Sequence, residues 1–327
     1  MVKIGDLELV SPIITAPMAG VTDLPFRQIL REYGAELCFT EMVSSHGLVQ
    51  GNVRTKKLVD FSRRGGLIGI QLFGSEPGIM GEAAEILQEE YSPDIIDINM
   101  CCPAPKVTKT GAGAALLQDY ELAERIVKAV KNSISLPLTV KMRKGFDEGE
   151  LSCIELARRL QERGVDGVSI HARSREQFYE GRADRDVIAR AVENLDIPVV
   201  ASGDIFTPED AADMQQETGC EGVMLARGMQ GNPWLVSRSR AYLEYGRDIS
   251  PPDFRSRIDQ ALAHMESAIE YYGEERAVPL MRKHLSWYIK GLPCCSEIKE
   301  RINRAGNRDE VADILGEYLQ KLADRCS

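Results

Sequence analysis

The residues best suited to chemistry in this chain stand just after short apolar runs. Cys101-Cys102-Pro103 sets two thiols before a proline. A thiol with an ordinary pKa of about 8.5 is mostly protonated at neutral pH, yet can release its proton. That suits Cys102 to general-acid work. The competing reading is a buried structural cysteine, the common fate of a free thiol. Gln71 and Asn99 offer amide hydrogen bonds, and Lys141, Arg143, His171 and Arg173 offer cations and a ring nitrogen. Ser202-Gly203-Asp204 and Ala226-Arg227-Gly228 are small-residue segments. Such segments leave backbone N–H groups open to a phosphate, and an arginine there can bind it with two parallel bonds. The plainer alternative is that the glycines only make tight turns. Lys141 and Gln71 suit a flat, hydrogen-bonding cofactor ring, because a cation there stabilises the negative charge of the reduced form. The four histidines, His46, His171, His264 and His284, form neither an H-x-x-x-H nor a His–Cys spacing, so no metal is expected.

Something must bring these groups together. Eight short runs, 13–18, 37–42, 67–74, 95–100, 137–143, 167–173, 198–205 and 222–228, are apolar or β-branched and do not alternate strictly. Runs of that kind suit strands buried on both faces of a parallel sheet. Helical patterns lie between them at 23–33, 78–90, 120–132, 150–163, 184–193 and 209–217, the last opened by Thr207-Pro208 as cap and first-turn proline. Simple alternation through eight strands predicts a (β/α)8 TIM barrel, in which chemistry sits at the C-terminal strand ends. An open doubly wound sheet is the runner-up, but no G-x-G-x-x-G follows the first strand. Ala16-Pro17-Met18 closes the first strand, and Glu41-Met42, Gln71, Asn99, Lys141, His171, Ser202 and Ala226-Arg227 stand at the other ends. A barrel built only for stability needs no polar group there.

The texture changes past Tyr245. A polar, proline-bearing junction precedes four helical patterns at 253–272, 275–290, 296–304 and 308–324, with no strand signal. The expected division is a barrel domain at 1–245 and a small helical domain at 246–327. A chain of 327 residues has room for both, and 43% hydrophobic with 28% charged residues is ordinary for a globular protein. No window approaches the ~18 unbroken apolar residues of a membrane span. Asp6 falls where a signal peptide needs its apolar stretch, so the expectation is a reducing, cytoplasmic compartment for the 8 cysteines. The formal charge of −10 counts against a nucleic-acid partner globally, although a local basic patch is what binds phosphates.

Six segments, taken in order, resemble the tRNA-dihydrouridine synthases, B-type in particular. They are Ala16-Pro17-Met18-Ala19-Gly20-Val21-Thr22-Asp23, Asp97-Ile98-Asn99-Met100-Cys101-Cys102-Pro103, Val140-Lys141-Met142-Arg143, Ile170-His171-Ala172-Arg173, Arg227-Gly228-Met229-Gln230-Gly231-Asn232-Pro233-Trp234, and Arg282-Lys283-His284-Leu285 with Trp287-Tyr288-Ile289-Lys290-Gly291. The resemblance implies an FMN enzyme of the cytoplasm that uses NADPH to reduce the C5–C6 bond of uridine in tRNA. It implies Cys102 as the acid that protonates C5. It implies cofactor contacts from Ala16, Pro17, Met18, Gln71, Lys141, His171, Ser202, Gly203, Asp204, Ala226, Arg227 and Gly228. Substrate contacts would come from Asn99, Arg143 and Arg173 in the barrel and from Arg282, Lys283 and Lys290 in the helical domain. The implied state is a monomer without metal.

Three positions depart from the family pattern. Cys101 stands where the family has glycine, Ser202 where it usually has asparagine, and Ala226 at a common glycine. If the first position needs positive φ, a cysteine there is strained; otherwise it is either a small-for-small change or a second thiol that alters the chemistry. A second doublet, Cys294-Cys295, lacks the C-x-x-C spacing of a chelating site. His46 is expected in a mobile loop, and His264 and His284 on solvated or hydrogen-bonded helix positions. Two other activities stay open at this point: a flavin reductase of a small enone or free pyrimidine, and a non-catalytic RNA-binding module.

Overall fold

The computed structural model describes residues 1–62 and 66–326. Eight parallel strands close into a barrel: β3 (Ile13–Thr15), β4 (Leu37–Ser44), β5 (Leu67–Phe73), β6 (Ile95–Met100), β7 (Leu138–Arg143), β8 (Gly167–His171), β9 (Val199–Ser202) and β10 (Gly222–Leu225), with β10 pairing back to β3. Each coincides with one of the eight apolar runs. The strands are almost wholly buried because helices cover the outside and side chains fill the inside, which is why they read as continuous apolar runs. Helices Leu24–Glu32, Pro77–Ile86, Tyr120–Ser133, Ser152–Gln161, Arg185–Asn194 and Pro208–Thr218 return the chain between strands. Thr207 and Asp210 form a reciprocal capping box at the start of the last of these.

Two features went unread in the sequence. An antiparallel hairpin of β1 (Val2–Ile4) and β2 (Leu7–Leu9) joins the apolar cluster at the N-terminal end of the barrel, with Val2 and Ile4 beside Gly222 and Gly167. Short helices Ser45–Val49 and Val53–Leu58 follow β4. His46 therefore sits in a helix capped by Ser44 rather than a loose loop, with Nε2 2.9 Å from Glu76 Oε1.

Beyond helix Trp234–Tyr245 the chain is helical: Phe254–Tyr272, Glu274–Tyr288, Cys295–Arg304 and Arg308–Cys326. These helices share an apolar core of their own, including Ile258, Met265, Leu285, Tyr288, Ile302 and Leu315. They dock on the first helix of the barrel. Phe26, fully buried, stacks on His264 at 5.3 Å and meets His284 at 5.8 Å. Tyr33 donates to Gln260 (2.7 Å), Tyr271 to Asp60 (2.8 Å) and Tyr272 to Asp23 (3.1 Å). The Gly20 peptide is gripped from both sides, its N–H by Glu41 and its carbonyl by Lys283 from the helical region. His264 and His284 are thus core residues, not solvated ones. Burial drives both below the usual histidine range, His284 to about 3 with Lys283 contributing, so the two rings pack as neutral aromatics.

Among the described residues no helix is long and apolar enough to cross a membrane. Truncating Phe26→Ala removes the ring that both histidines pack on. It should cost about 3–5 kcal/mol of stability in urea unfolding. A loss under about 1 kcal/mol would show that other contacts hold the two regions together.

Candidate active site

At the C-terminal ends of the barrel strands lies a cavity of about 320 Å³, within the size range of small-molecule sites. Ala16, Pro17, Met18, Gln71, Asn99, Cys102, Lys141, Arg143, His171, Ser202, Gly203, Asp204, Ala226, Arg227 and Gly228 all line it. Strand closure therefore gathers fifteen of the expected residues, drawn from positions far apart in the chain, around one space. A larger cleft, about 670 Å³, runs between barrel and helical region past Tyr271, Tyr272 and Lys283. Its groups are mostly spent on docking, and it holds no thiol.

Cys102 is held by its backbone. Its N–H donates to Asn99 Oδ1 (2.8 Å), as does that of Cys101 (3.0 Å), and its carbonyl accepts from Ala114 N (3.1 Å). Arg143 Nε donates to the Cys101 carbonyl (3.0 Å). Gly113, at φ +63, lets the chain pass that carbonyl; a Cβ there would stand 2.8 Å from Cys102 O. Burial raises the Cys102 pKa, with the Ala104 N–H pulling the other way, so the thiol is protonated at neutral pH. Cys101 lies outside the positive-φ region, so a cysteine in the family's glycine position is unstrained. Its Sγ accepts from Lys141 Nζ at 3.3 Å on the cavity wall.

Cations crowd this space. Burial, then Lys141, Arg143, Arg173 and Arg227, depress His171 far below the usual histidine range, so its ring is neutral. Its Nε2 is buried without a partner. Buried polar atoms nearly always have one, so this nitrogen on the cavity wall is open to a ligand. Gly203 has φ +129, and a Cβ on Gly228 would fall 2.2 Å from Ile205 O, so both loop positions require glycine. Asp204, itself at φ 53, binds Arg173 (2.7 Å) and Arg227 (3.4 Å) and accepts from Ala183 N. Burial opposes its ionisation, but these donors outweigh that and lower its pKa.

Four expected contacts do not line the cavity; three of them, Arg282, Lys283 and Lys290, were expected in the helical region. Arg173 is not a wall of the cavity: only 1% exposed, it donates to Glu180 O, Gly181 O and Asp204, and so ties down the loop after β8. Arg282 donates to Ala305 O inside the helical region, and Lys283 is committed to Gly20 O. Lys290 is exposed and lines a groove of about 550 Å³ with Arg227, Gln230, Arg238 and Trp287, which continues from the cavity. Sequence reading missed Tyr179, which lines the cavity beneath Arg227 (4.6 Å from guanidinium carbon to ring centre) and beside His171. The Phe178-Tyr179 pair in an otherwise polar loop was its available signal. Cys294, at φ 56, and Cys295 lie in the helical region, away from the cavity. Among the described residues no group of three His, Cys, Asp or Glu is placed to hold a metal ion.

The model of the family "Dihydrouridine synthase (Dus)" matches residues 14–324, from the first barrel strand into the last helix. The chain belongs to the dihydrouridine synthase family. It is 39% identical to the "Probable tRNA-dihydrouridine synthase" of Rickettsia conorii over 99% of this chain and 98% of that one. It is 37% identical to "tRNA-dihydrouridine synthase B" of Xanthomonas axonopodis pv. citri, over 98% and 96%. Among solved structures, histamine dehydrogenase from Rhizobium sp. 4-9 superposes with TM-score 0.55 over 81% of this chain and 50% of that one. At 16% identity that likeness concerns the fold alone, and this chain spans about half of that protein's length.

The role given to Arg173 is open to measurement. Arg173→Met breaks a buried pair but leaves Asp204, partly exposed, with Arg227. The variant should lose about 2 kcal/mol in urea unfolding and become open to protease cleavage near residues 174–184. Unchanged stability and protection would remove Arg173 from that role.

Proposed function

We propose that the protein is a cytoplasmic FMN-dependent tRNA-dihydrouridine synthase that reduces the C5–C6 double bond of uridine in tRNA with NADPH. The observation that carries this reading is the protonated Cys102 thiol, clamped on the wall of a cation-lined cavity, in a chain of this family. The cavity fits FMN by three features: the unpartnered His171 Nε2, the Lys141 ammonium on the wall, and the glycines Gly203 and Gly228 beside Arg227. The loops after the last two strands are the usual phosphate site of this fold, and Arg227 supplies a charge there. His171 and Lys141 would meet the ring, with Gln71, Ala16, Pro17, Met18, Ser202, Asp204 and Ala226 around it. When bound, FMN takes reducing equivalents from NADPH and passes them on to the pyrimidine.

The chain's own residues do the rest. Asn99, through the loop it holds, and Arg143, braced by the Cys101, Ser174 and Phe178 carbonyls, bound the space the uracil would enter. Cys102 gives its thiol proton to C5 as C6 is reduced, and the thiolate recovers a proton from solvent. A base inside a folded tRNA must leave its stack to reach a cavity at the barrel mouth. Residues 246–327 act as a tRNA-binding domain on a monomer, with Lys290 and the groove beside it meeting phosphates. Arg282 and Lys283 then serve that surface by shaping it. No step calls for a metal. A small-molecule reductase would have no use for the docked helical region, and since Phe26 anchors that region, the two readings are better compared in the full chain than by truncation.

Gently purified protein should be yellow and should carry FMN. Cys102→Ala should still be reduced by NADPH while forming at least ~100-fold less dihydrouridine in tRNA, the scale of a lost general acid. Formation at an unaltered rate would end the assignment of Cys102. Colourless protein that cannot be loaded with FMN would favour a non-catalytic RNA-binding role.

A further inference from the structure

Beneath the thiols lies a buried carboxyl that the chemistry above does not use. Asp97 stands on β6, only 2% exposed, in a layer of the barrel interior shared with Gln71 on β5 and Thr139 on β7. Thr139 Oγ1 donates to one carboxyl oxygen (2.7 Å) and Gln71 Nε2 to the other (2.6 Å). Gln71 Oε1 then accepts from Asn99 Nδ2 (2.7 Å). Asn99 Oδ1 in turn accepts the two N–H groups of Cys101 and Cys102. Residues 97, 99 and 101 step up one face of the strand two at a time, and each layer sets the direction of the next.

We propose that Asp97 is a positioning residue whose carboxylate fixes the direction of the Gln71 and Asn99 amides and so holds the Cys102 loop. The inference rests on the reading of Cys102 as the proton donor. An amide can face either way, because one end accepts and the other donates. The two N–H donors at one end of this chain of amides already favour one sense, and an acceptor at the other end reinforces it. An ionised carboxylate only accepts, and it admits one sense. In the other sense Asn99 turns its NH2 toward two N–H donors, and both are left without an acceptor. Barrel interiors are ordinarily filled by Val, Ile and Leu. A carboxyl is a costly occupant of such a layer unless it is hydrogen-bonded, and here both of its oxygens accept.

Protonation is the natural test. Burial raises Asp97 to about 6, against the opposing pull of Gln71, Thr139 and Lys141. The groups facing the carboxyl are Gln71 from β5 and Thr139 and Lys141 from β7, and Lys141 supplies the charge. Once protonated, the group can no longer accept freely from both donors, so the amide direction loosens as pH falls through about 6. His171 lies far below that range and Cys102 above it. An acid limb of the rate near pH 6 that comes from Asp97 is therefore expected.

The experiment uses the FMN-loaded full chain with tRNA, comparing Asp97→Val and Asp97→Asn with wild type. Asp97→Val should lower kcat at least ~10-fold with KM for tRNA within about twofold, the pattern of a lost transition-state interaction. Its Cys102 should react faster with iodoacetamide, read residue by residue by tandem mass spectrometry. Asp97→Asn keeps an acceptor for Gln71 without charge. It should regain part of the lost rate and lack the acid limb near pH 6. Should Asp97→Val fail to fold, Asp97→Asn alone decides through that limb. A limb retained in Asp97→Asn, or Cys102 labelling in Asp97→Val equal to wild type at every pH, overturns the proposal. The labelling reports on the loop whether or not Cys102 is the acid, so a failure of the functional reading, seen as an active Cys102→Ala, stays separate from a failure of the relay.

Discussion

A single carboxamide oxygen, that of Asn99, receives the N–H groups of two successive cysteines, and the arrangement of the barrel mouth depends on it. A chain leaving a strand must satisfy its free N–H groups or lose definition. Here the satisfying atom comes from inside the barrel rather than from a neighbouring loop, so the thiols inherit the rigidity of the strand interior. The Arg143 bond to the Cys101 carbonyl and the Ala114 bond to the Cys102 carbonyl close the other side. What remains free is the Cys102 side chain, the group that must meet substrate.

The electrostatics follow from the same gathering of strand ends. A chain with ten more acidic than basic residues nevertheless brings Lys141, Arg143, Arg173 and Arg227 to bear on one buried histidine. Asp204 pairs with two of these cations, Asp97 faces Lys141, and Arg143 is held by backbone carbonyls. A neutral His171 and a positive wall favour an anionic or electron-rich guest. The net charge spread over a surface says little about a site whose walls screen it from solvent.

The strand interiors and strand ends were legible because burial on two faces and chemistry at one end leave plain marks: unbroken apolar runs, each closed by a polar or small residue. The hairpin of Val2–Ile4 and Leu7–Leu9 was not, because each strand is three residues long and too short for a pattern. His264 and His284 do stand on helices with hydrogen bonds, as expected, but their burial was not legible, for a different reason. Part of that burial comes from Phe26, more than two hundred residues away, and no local pattern reports a partner so distant in the chain. Arg173, Arg282 and Lys283 carry the right charge in the right neighbourhood, but each already holds a backbone carbonyl, and Arg173 also holds Asp204. A sequence shows that a cation is present and not whether it is already engaged. Cys101 shows the converse: its φ, invisible in the sequence, is what makes the departure from glycine harmless to the backbone.

Cys102 must face the reacting carbon for its thiol proton to reach C5. The most direct measurement is an experimental structure of the FMN-loaded enzyme with a tRNA trapped on it. The account predicts an extruded uracil inside the barrel mouth, with Cys102 Sγ about 3.5 Å from C5, the range of a reactive approach. A uracil presented to Cys101 instead, or a tRNA whose bases all stay outside the cavity, would contradict it.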